Sequence, residues 1–248
     1  FAKLPDVPRH QDFREMLDRR GKEIDAVIIA APDAIHASAS LRAMAMGKHV
    51  FCEKPLTHTI REARRMREAA ARAKVATQLG NQGTSSEAFR RSVELIRAGL
   101  LGEIREVHAW NEGGGSGRAE APSGEQPVPA GLQWDLWLGP SRSRPYTREW
   151  MNWHAWREFA TGQLGNWASH TMNLAFKALR LDELWDAGAG RDAAARTFRV
   201  RAECEAPNRV AFPKWEAIAY DFPARGALPP VTVRWYNGGR IPRGRDDL

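Results

Sequence analysis

The sequence predicts an α/β fold built on a doubly wound parallel sheet, and three observations support that prediction. Short apolar runs rich in β-branched residues recur along the first part of the chain. Segments of helical length and composition separate these runs, and capping or turn residues mark the boundaries. Strands that alternate with helices at this spacing form parallel sheets with helical crossovers.

The first elements are defined by their caps and by their apolar content. Asp12 followed by Glu15 predicts the start of a short helix. Residues 25–31 (DAVIIAA) predict a strand that is covered on both faces, and residues 34–46 predict a helix that stops at Gly47. The remaining boundaries are a strand over 49–52, a helix from a Thr59/Glu62 capping box to about residue 73, a strand over 75–79, and a helix from Thr84 and Glu87 to near Gly99.

Composition sets the class of protein. The chain has 248 residues, 43% hydrophobic and 27% charged, which is enough for one large domain or two modest domains. No run approaches the roughly 18 apolar residues of a membrane span. The formal net charge is +7, but the densest basic run, residues 61–74, also contains Glu62 and Glu68 and is typical of a solvated helix face. Since no nucleic-acid-reading motif accompanies this charge, we expect no nucleic acid partner.

The two cysteines, Cys52 and Cys204, indicate neither a disulfide framework nor a zinc site. We therefore expect two buried thiols and no metal centre. The sequence leaves the compartment undetermined, whether cytoplasmic or exported.

Polar residues follow the ends of three predicted strands, in the segments 32–36 (PDAIH), 53–55 (EKP) and 80–83 (GNQG). Ligands of a doubly wound sheet bind beyond the carboxyl ends of its strands, so all three segments are expected to face one crevice. There the ammonium of Lys54 can hydrogen-bond a substrate hydroxyl and stabilise negative charge that develops on its oxygen. Glu53 would orient the lysine or hold a ribose hydroxyl. The alternative is a surface Glu–Lys pair at a strand end.

A series of motifs, in order along nearly the whole chain, resembles one protein family. The motifs are APDAIH, AMGKHVFCEKPLT, VATQLGNQG, LWLGPSRSRPY, NWHAWREFATGQLGNWASHTMNLAFKALRL and DFPARGALPPVTVRWYNGG. Together they resemble the glucose-fructose oxidoreductase, inositol dehydrogenase and rhizopine-catabolism (Gfo/Idh/MocA) family. The resemblance implies a Rossmann-type nucleotide-binding domain, here residues 1–100, and an α+β domain, here residues 101–248. The open, mainly antiparallel sheet of the second domain is implied to cover the substrate and to mediate homo-oligomers.

The resemblance also implies a chemistry. Members usually bind NAD or NADP and transfer a hydride to or from a sugar, a cyclitol or a related small carbonyl compound. Lys54 is implied to be catalytic as well as cofactor-binding. The residues implied to line the cofactor are Pro32, Asp33, His36, Glu53, Lys54, Asn81 and Gln82 from the first domain, with Trp156 and Arg157 from the second.

The family's glycine-rich phosphate loop has no convincing match in this sequence. Residues 188–193 (GAGRDA) follow a helix-like stretch instead of a strand, and residues 113–117 (GGGSG) lack a following helix. We therefore expect the chain to be part of a longer protein. It would lack at least one strand–helix–strand unit of about 30 residues at its start, and further chain at its end.

A second catalytic cluster is expected at residues 165–170 (GNWASH), which open a predicted helix. Where the family commonly shows Asp, three residues and His, this sequence has Asn166 and His170, which share a helix face. His170 is the candidate base that accepts the hydroxyl proton. An amide at position 166 can orient the imidazole but carries no charge. This departure leaves open a slower dehydrogenase, a changed substrate, or use of the cofactor without net oxidation.

Two alternatives to a dehydrogenase therefore stay open: a glycosidase or lyase that oxidises a sugar transiently, and a non-catalytic NAD(P)- and sugar-binding sensor. Six of the ten tryptophans lie between residues 134 and 167. We expect most of them to fill a core and one or two to face the substrate. Arg142, Arg144 and Tyr146 either meet an acidic sugar or belong to a surface loop. Substrate identity, NAD versus NADP, and oligomer size lie beyond the sequence.

Overall fold

The computed structural model describes residues 6–185 and 197–242. Its helices and strands, in chain order, are α1 (Phe13–Arg20), β1 (Ala26–Ile29), α2 (Asp33–Ala45), β2 (His49–Glu53), α3 (Ile60–Ala73), β3 (Thr77–Gly80), α4 (Glu87–Arg97), β4 (Glu106–Trp110), α5 (Trp134–Leu138), α6 (Gly162–Thr171), α7 (Asn173–Ala178), β5 (Arg199–Cys204), β6 (Glu216–Phe222) and β7 (Val231–Tyr236). None of the helices within these ranges combines the length and the apolar composition that a membrane crossing needs.

The chain folds into two compact units. Of the described residues, the first unit comprises 6–80, 122–153 and 158–160, and the second comprises 81–121, 154–157, 161–185 and 197–242. Each unit therefore draws on separated stretches of sequence. The predicted division into domains 1–100 and 101–248 stays a prediction.

The first unit contains a three-stranded sheet in the order β1-β2-β3, and both strand pairs are parallel. This confirms the predicted parallel sheet. Ile29, Val50 and Cys52 lie in one apolar cluster with Ala43 of α2 and Met66 of α3, so the helices cover one face of the sheet. Burying these side chains is the main stabilising contribution to this unit.

The prediction that residues 25–31 form a strand covered on both faces is wrong for the described part of the chain. Successive side chains of a strand point to opposite faces. Ile29 is 8% exposed and packs under the helices, whereas the preceding Ile28 is 79% exposed. Within the described residues, only the face of β1 that carries Ile29 is covered.

The helix starts follow local hydrogen bonding. At α3 the hydroxyl of Thr59 accepts from the Glu62 amide (3.2 Å) and the Glu62 carboxylate accepts from the Thr59 amide (2.8 Å), so the predicted capping box is confirmed. The predicted start of α4 at Thr84 is wrong. Its hydroxyl instead donates to the Asn81 carbonyl (2.8 Å), and Ser86 caps the helix by accepting from the Phe89 amide.

The second unit contains a four-stranded sheet in the order β4-β7-β6-β5. β4 pairs with β7 in parallel, and the other two pairs are antiparallel, so the sheet is mainly antiparallel as predicted. Its apolar face includes Val231, Val233 and Phe222, which pack with Ala175 and Leu179 of the α7 region.

The other face of this sheet is polar and is crossed by paired side chains. Arg234 pairs with Glu106 across β7 and β4, and the Arg234 guanidinium lowers the pKa of that carboxyl group. Arg201 binds both carboxylate oxygens of Asp221 (2.9 and 3.1 Å) across β5 and β6. Ion pairs thus cross two of the three strand pairs on this face.

Candidate active site

The carboxyl ends of the parallel strands lie side by side in the first unit. The register pairs Glu53, the last residue of β2, with Gly80, the last residue of β3. β1 ends beside them and leads into α2, which begins at Asp33, while β2 leads directly into Lys54. The segments after β1 and β2 thus lie at one edge of the sheet.

Gly80 leaves room for the Glu53 carboxylate. A Cβ atom at position 80 would lie 2.7 Å from the Glu53 carboxyl carbon and 2.8–2.9 Å from its two oxygens. The carboxylate therefore lies across the end of β3, where a side chain would have displaced it. Lys54 follows Glu53 and is half-buried, and a cis peptide bond joins it to Pro55.

Asp33 and Pro32 form the start of α2. Asp33 is 2% exposed and lies in the first turn, where the helix dipole favours a carboxylate. The Pro32 carbonyl accepts from the Ile35 amide (2.9 Å).

In the same unit, burial raises the pKa of the Cys52 thiol to about 11, and the nearby Glu53 and Asp33 carboxylates act in the same direction. Cys52 is therefore an unreactive core thiol at neutral pH.

His36 lies in the first turns of α2 and is 1% exposed. Its Nδ1 is 2.7 Å from the Pro55 carbonyl oxygen, and its Nε2 is 2.8 Å from the Ala31 carbonyl oxygen. The ring thus lies between the chain after β1 and the chain after β2.

Asn81 and Gln82 belong to the second unit, at the turn before α4. Asn81 is 9% exposed, and its side-chain amide donates to the Ser169 carbonyl of α6 (3.4 Å). Gln82 begins a 3-10 turn and is exposed. The two neighbours therefore differ: one is packed against the helix that carries His170, and the other faces solvent.

Asn166 and His170 both lie on α6 and are half-buried. Their i, i+4 spacing puts them on one helix face, as predicted. The His170 ring contacts Trp167 edge-on, with centroids 5.9 Å apart, and Trp167 is 40% exposed. Among the six tryptophans between residues 134 and 167, Trp167 is therefore exposed and in contact with a candidate catalytic residue, His170.

Trp156 and Arg157 lie in a segment of the second unit that pairs with residues 210–212. Trp156 is 2% exposed and bridges to Ala211. The Arg157 amide donates to the Val210 carbonyl (3.0 Å), and its Nε donates to the Ala211 carbonyl (3.0 Å). The structure thus gives both residues packing contacts, and their predicted role at the cofactor stays a prediction.

Most of the other clustered tryptophans fill cores. In the first unit Trp134 stacks on Trp137 (4.9 Å) and meets Tyr146 edge-on (5.1 Å). Trp134 and Trp150 are 9% and 5% exposed. Three of the six clustered tryptophans, Trp134, Trp150 and Trp156, are thus buried, and Trp137 and Trp153 are half-buried.

Arg144 is held inside the first unit instead of being presented to a ligand. Its guanidinium lies 4.4 Å over the Trp150 ring and pairs with the Glu158 carboxylate. Burial alone would raise the pKa of Glu158, but the Arg142 amide (2.7 Å) and the Arg144 guanidinium outweigh it and hold this pKa below its ordinary value. Arg144 therefore belongs to a packed loop and not to the surface loop of the second expectation, because its side chain is only 15% exposed.

The glycine-rich segment 113–117 packs against the chain at 212–214. The Gly115 and Gly117 amides donate to the Pro213 and Phe212 carbonyls (3.0 and 2.9 Å). A Cβ atom at Gly114 would lie 2.0 Å from the Lys214 carbonyl oxygen. These glycines serve close backbone packing, in agreement with their exclusion as a phosphate loop. The other glycine segment, 188–193, lies outside the described residues.

Sequence reasoning missed two features of this site. One is the space that Gly80 leaves for the Glu53 side chain, which depends on the register of β2 and β3. Its only signal in the sequence is a glycine at the end of a predicted strand. The other is the link from Asn81 to Ser169, across 88 residues of sequence, which no local pattern indicates. Among residues 6–185 and 197–242, no three His, Cys, Asp or Glu side chains are grouped to hold a metal ion.

Residues 1–81 match the model of an oxidoreductase family with an NAD-binding Rossmann fold, GFO_IDH_MocA. The rhizopine catabolism protein MocA of Rhizobium meliloti is 36% identical over 92 residues, which cover 36% of this chain and 29% of MocA. The 2,7-anhydro-N-acetylneuraminate hydratase of Escherichia coli (strain K12) is 32% identical over 92 residues, which cover 37% of this chain and 25% of the hydratase.

The fold of the chain is similar to that of solved structures. A crystal structure of an inositol dehydrogenase homologue complexed with NAD+ from Azotobacter vinelandii aligns with a TM-score of 0.61 and 20% identity, covering 95% of this chain and 51% of that one. The chain thus spans about half of this solved structure, and its sequence matches span less than a third of MocA and of the hydratase. Residues 1–81 thus match the model of the Gfo/Idh/MocA family of oxidoreductases, and the fold is similar to that of the solved inositol dehydrogenase homologue.

Proposed function

We propose that the protein containing this chain is a nicotinamide-dependent oxidoreductase that transfers a hydride between NAD(P) and a sugar, a cyclitol or a related polyol or keto compound. The observation that carries the proposal is the Glu53–Lys54 pair at the end of β2, beside the end of β3. Ligands of such sheets bind at this edge. The pair also lies within the residues that match the NAD-binding family model.

The residues at this edge fit one end of a dinucleotide. The Glu53 carboxylate lies in the space left by Gly80, and a carboxylate can accept hydrogen bonds from ribose hydroxyls. The glycine-rich segment 113–117 lies between β4 and α5, but its Gly115 and Gly117 amides donate to the Pro213 and Phe212 carbonyls and are not available to phosphates. The fit therefore concerns the ribose and nicotinamide end. When bound, the nicotinamide supplies the hydride acceptor or donor.

Three side chains are assigned roles in this proposal. Lys54 donates a hydrogen bond to the reacting oxygen and stabilises the charge that develops there. His170 exchanges the proton of that hydroxyl group, and Asn166, one turn earlier on α6, orients the imidazole. Because an amide carries no charge, it supports the imidazolium less than a carboxylate would.

A second candidate is an enzyme that oxidises its sugar transiently, eliminates a substituent and returns the hydride. Two observations favour it: the similarity to a hydratase, and the amide at position 166. Such an enzyme would incorporate solvent deuterium next to the oxidised carbon without net NADH. A dehydrogenase would produce NADH in proportion to product.

We further propose that copies of the protein assemble through the polar face of the β4-β7-β6-β5 sheet. This face presents the Arg234–Glu106 and Arg201–Asp221 pairs, whose side chains remain partly exposed. Sedimentation of the full-length protein, with and without charge reversal at Arg201, would measure the assembly.

Release of bound nucleotide tests the main proposal. The full-length gene product is purified and denatured, and the released small molecules are identified by mass spectrometry. We expect NAD or NADP in nearly equal amount to the protein, which would also name the cofactor. If none is released and neither NAD+ nor NADP+ binds on titration, the proposal is wrong.

A further inference from the structure

His36 is a buried residue whose two ring nitrogens both contact backbone. It is 1% exposed, and its nitrogens lie 2.7 Å and 2.8 Å from the carbonyl oxygens of Pro55 and Ala31. These distances are those of good hydrogen bonds. The polar edge of the imidazole is therefore occupied on both sides by the protein itself.

The chemistry of these contacts restricts what His36 can do. A carbonyl oxygen only accepts, so each contact is a hydrogen bond when the facing nitrogen carries a proton. A neutral ring satisfies one carbonyl, and a ring protonated on both nitrogens satisfies both. In either state neither nitrogen is directed at a ligand. His36 is thus poorly suited to contact a nicotinamide directly.

The Pro55 contact acts on the residue next to Lys54. Proline has no amide hydrogen, so the peptide unit between the two residues cannot donate to a neighbouring strand. β2 ends at Glu53, and its ladder with β3 ends at the pair of Glu53 with Gly80. Beyond that pair, the His36 ring, which α2 carries, lies within hydrogen-bond distance of the Pro55 carbonyl oxygen (2.7 Å).

We propose that His36 is a positioning residue, which fixes Lys54 at the strand edge by binding the Pro55 carbonyl through Nδ1. The catalytic purpose of this positioning rests on the proposed function, but the contact between His36 and Pro55 can be tested without cofactor. It assigns His36 a role different from the cofactor contact that the family resemblance implies.

Two amide variants separate the two ring contacts. The side-chain nitrogen of asparagine can take the place of Nδ1, and that of glutamine the place of Nε2. His36→Asn thus keeps a donor for Pro55, and His36→Gln keeps a donor for Ala31. Both variants replace a buried aromatic ring with an amide, so a purely structural role would make them similar.

Amide hydrogen exchange of Lys54 and Leu56 in the cofactor-free, full-length protein measures the positioning. We expect His36→Gln to speed this exchange about tenfold and His36→Asn to stay within about twofold of wild type. The amides of Val50 and Cys52 in β2 report whether the sheet is intact. Equal acceleration in both variants, or none in either, would overturn the proposal.

A labelling experiment separates this proposal from the proposed function. Lys54 is labelled with trinitrobenzenesulfonate with and without saturating NAD+, and the modified residues are identified by mass spectrometry. We expect NAD+ to protect Lys54 in wild type and His36→Asn but not in His36→Gln. Absence of protection in wild type counts against the proposed function, whereas the exchange pattern alone decides the role of His36.

The wild-type protein gives an answer even if both variants fail to fold. In ¹⁵N-labelled protein, the ring signals of His36 show which nitrogen carries a proton. We expect a slowly exchanging proton on Nδ1, because only a protonated Nδ1 can donate to Pro55. An Nδ1 without a proton would overturn the proposal.

Discussion

The segment after β2 is predicted to face a ligand, whereas the glycine-rich segment 113–117 is excluded as a ligand loop, and the two segments also differ in the structure. Lys54 follows the end of a parallel strand, beside the end of β3, and the Glu53 side chain lies in space left by Gly80. In segment 113–117, by contrast, the Gly115 and Gly117 amides are bonded to the chain at 212–213. Amides that are already bonded cannot hold a phosphate.

The difference shows what makes a motif informative. The position of Lys54 follows from local sequence, because a parallel strand delivers the residue after it to the ligand-binding edge. The role of Gly114 depends on a partner a hundred residues later, the Lys214 carbonyl. A motif therefore predicts chemistry best when the element that positions it is part of the same motif.

Replacement of Lys54 should have the largest effect. We expect Lys54→Ala in the full-length protein to lower turnover about 100-fold to 1,000-fold, because the charge that develops on the reacting oxygen loses its donor. Under the proposed function, bound NAD(P) should be retained, because Glu53, the proposed ribose contact, is unchanged. Turnover is measured as NADH formation with a panel of sugars and cyclitols.

The matched control is Lys22→Ala, which removes an exposed lysine far along the chain from the strand edge. It should leave turnover within about twofold of wild type. Unchanged turnover in Lys54→Ala would remove this lysine from the mechanism. Glu53 and Lys54 would then be a surface ion pair, and they would no longer differ from segment 113–117 in having a role in chemistry.

Replacement of Gly114 should affect stability instead of chemistry. A Cβ atom there would lie 2.0 Å from the Lys214 carbonyl oxygen and 3.1 Å from the Gly238 Cα, both backbone atoms. We therefore expect Gly114→Ala to lower the free energy of unfolding by about 3 kcal/mol. Urea denaturation followed by tryptophan fluorescence measures the change.

Gly83→Ala serves as the control for Gly114. A Cβ atom at position 83 meets nothing within 4 Å, and its φ is not positive. We expect a change in the free energy of unfolding of no more than about 0.5 kcal/mol. If Gly114→Ala were equally mild, segment 113–117 would have room for other contacts, and its exclusion as a ligand loop would need revision.

Much of the first unit could be predicted because its signals are local. The capping box of Thr59 and Glu62 and the strands after residues 25 and 49 depend on neighbours within a few residues. The exposure of Ile28 could not be predicted, since an apolar run is the same whether one face or both are covered. The start of α4 was misplaced because Thr84 and Ser86 are both good caps, and only the bond from Thr84 to Asn81 decides between them.

The candidate site could be predicted in part for the same reason. The residues at the strand edge follow from strand order, and the shared face of Asn166 and His170 follows from helix geometry. The link from Asn81 to Ser169 and the packing of Arg157 on Ala211 join residues far apart in sequence. Such contacts depend on tertiary packing, and no local pattern in a single sequence indicates them.

The smallest expected effect concerns Arg144, a basic residue whose side chain is packed inside the first unit. Its partner Glu158 has a pKa below the ordinary value in the folded chain, so ionisation of this carboxyl group stabilises the fold at pH values above its unfolded pKa. The contribution is lost as pH falls through the folded pKa. Because the Glu158 side chain is 35% exposed, solvent screening limits the contribution to about 1 kcal/mol.

Glu158→Gln should therefore lower the free energy of unfolding by about 1 kcal/mol at pH 7, and the difference from wild type should shrink toward zero below about pH 4. Urea denaturation at a series of pH values measures it. Glu125→Gln, at an exposed position, should show no such pH dependence. A pH-independent difference for Glu158→Gln would mean that its hydrogen bonds, and not its charge, hold Arg144. Arg144 would then be fixed by hydrogen bonds alone, and the charge of Glu158 would not be what keeps it packed inside the unit.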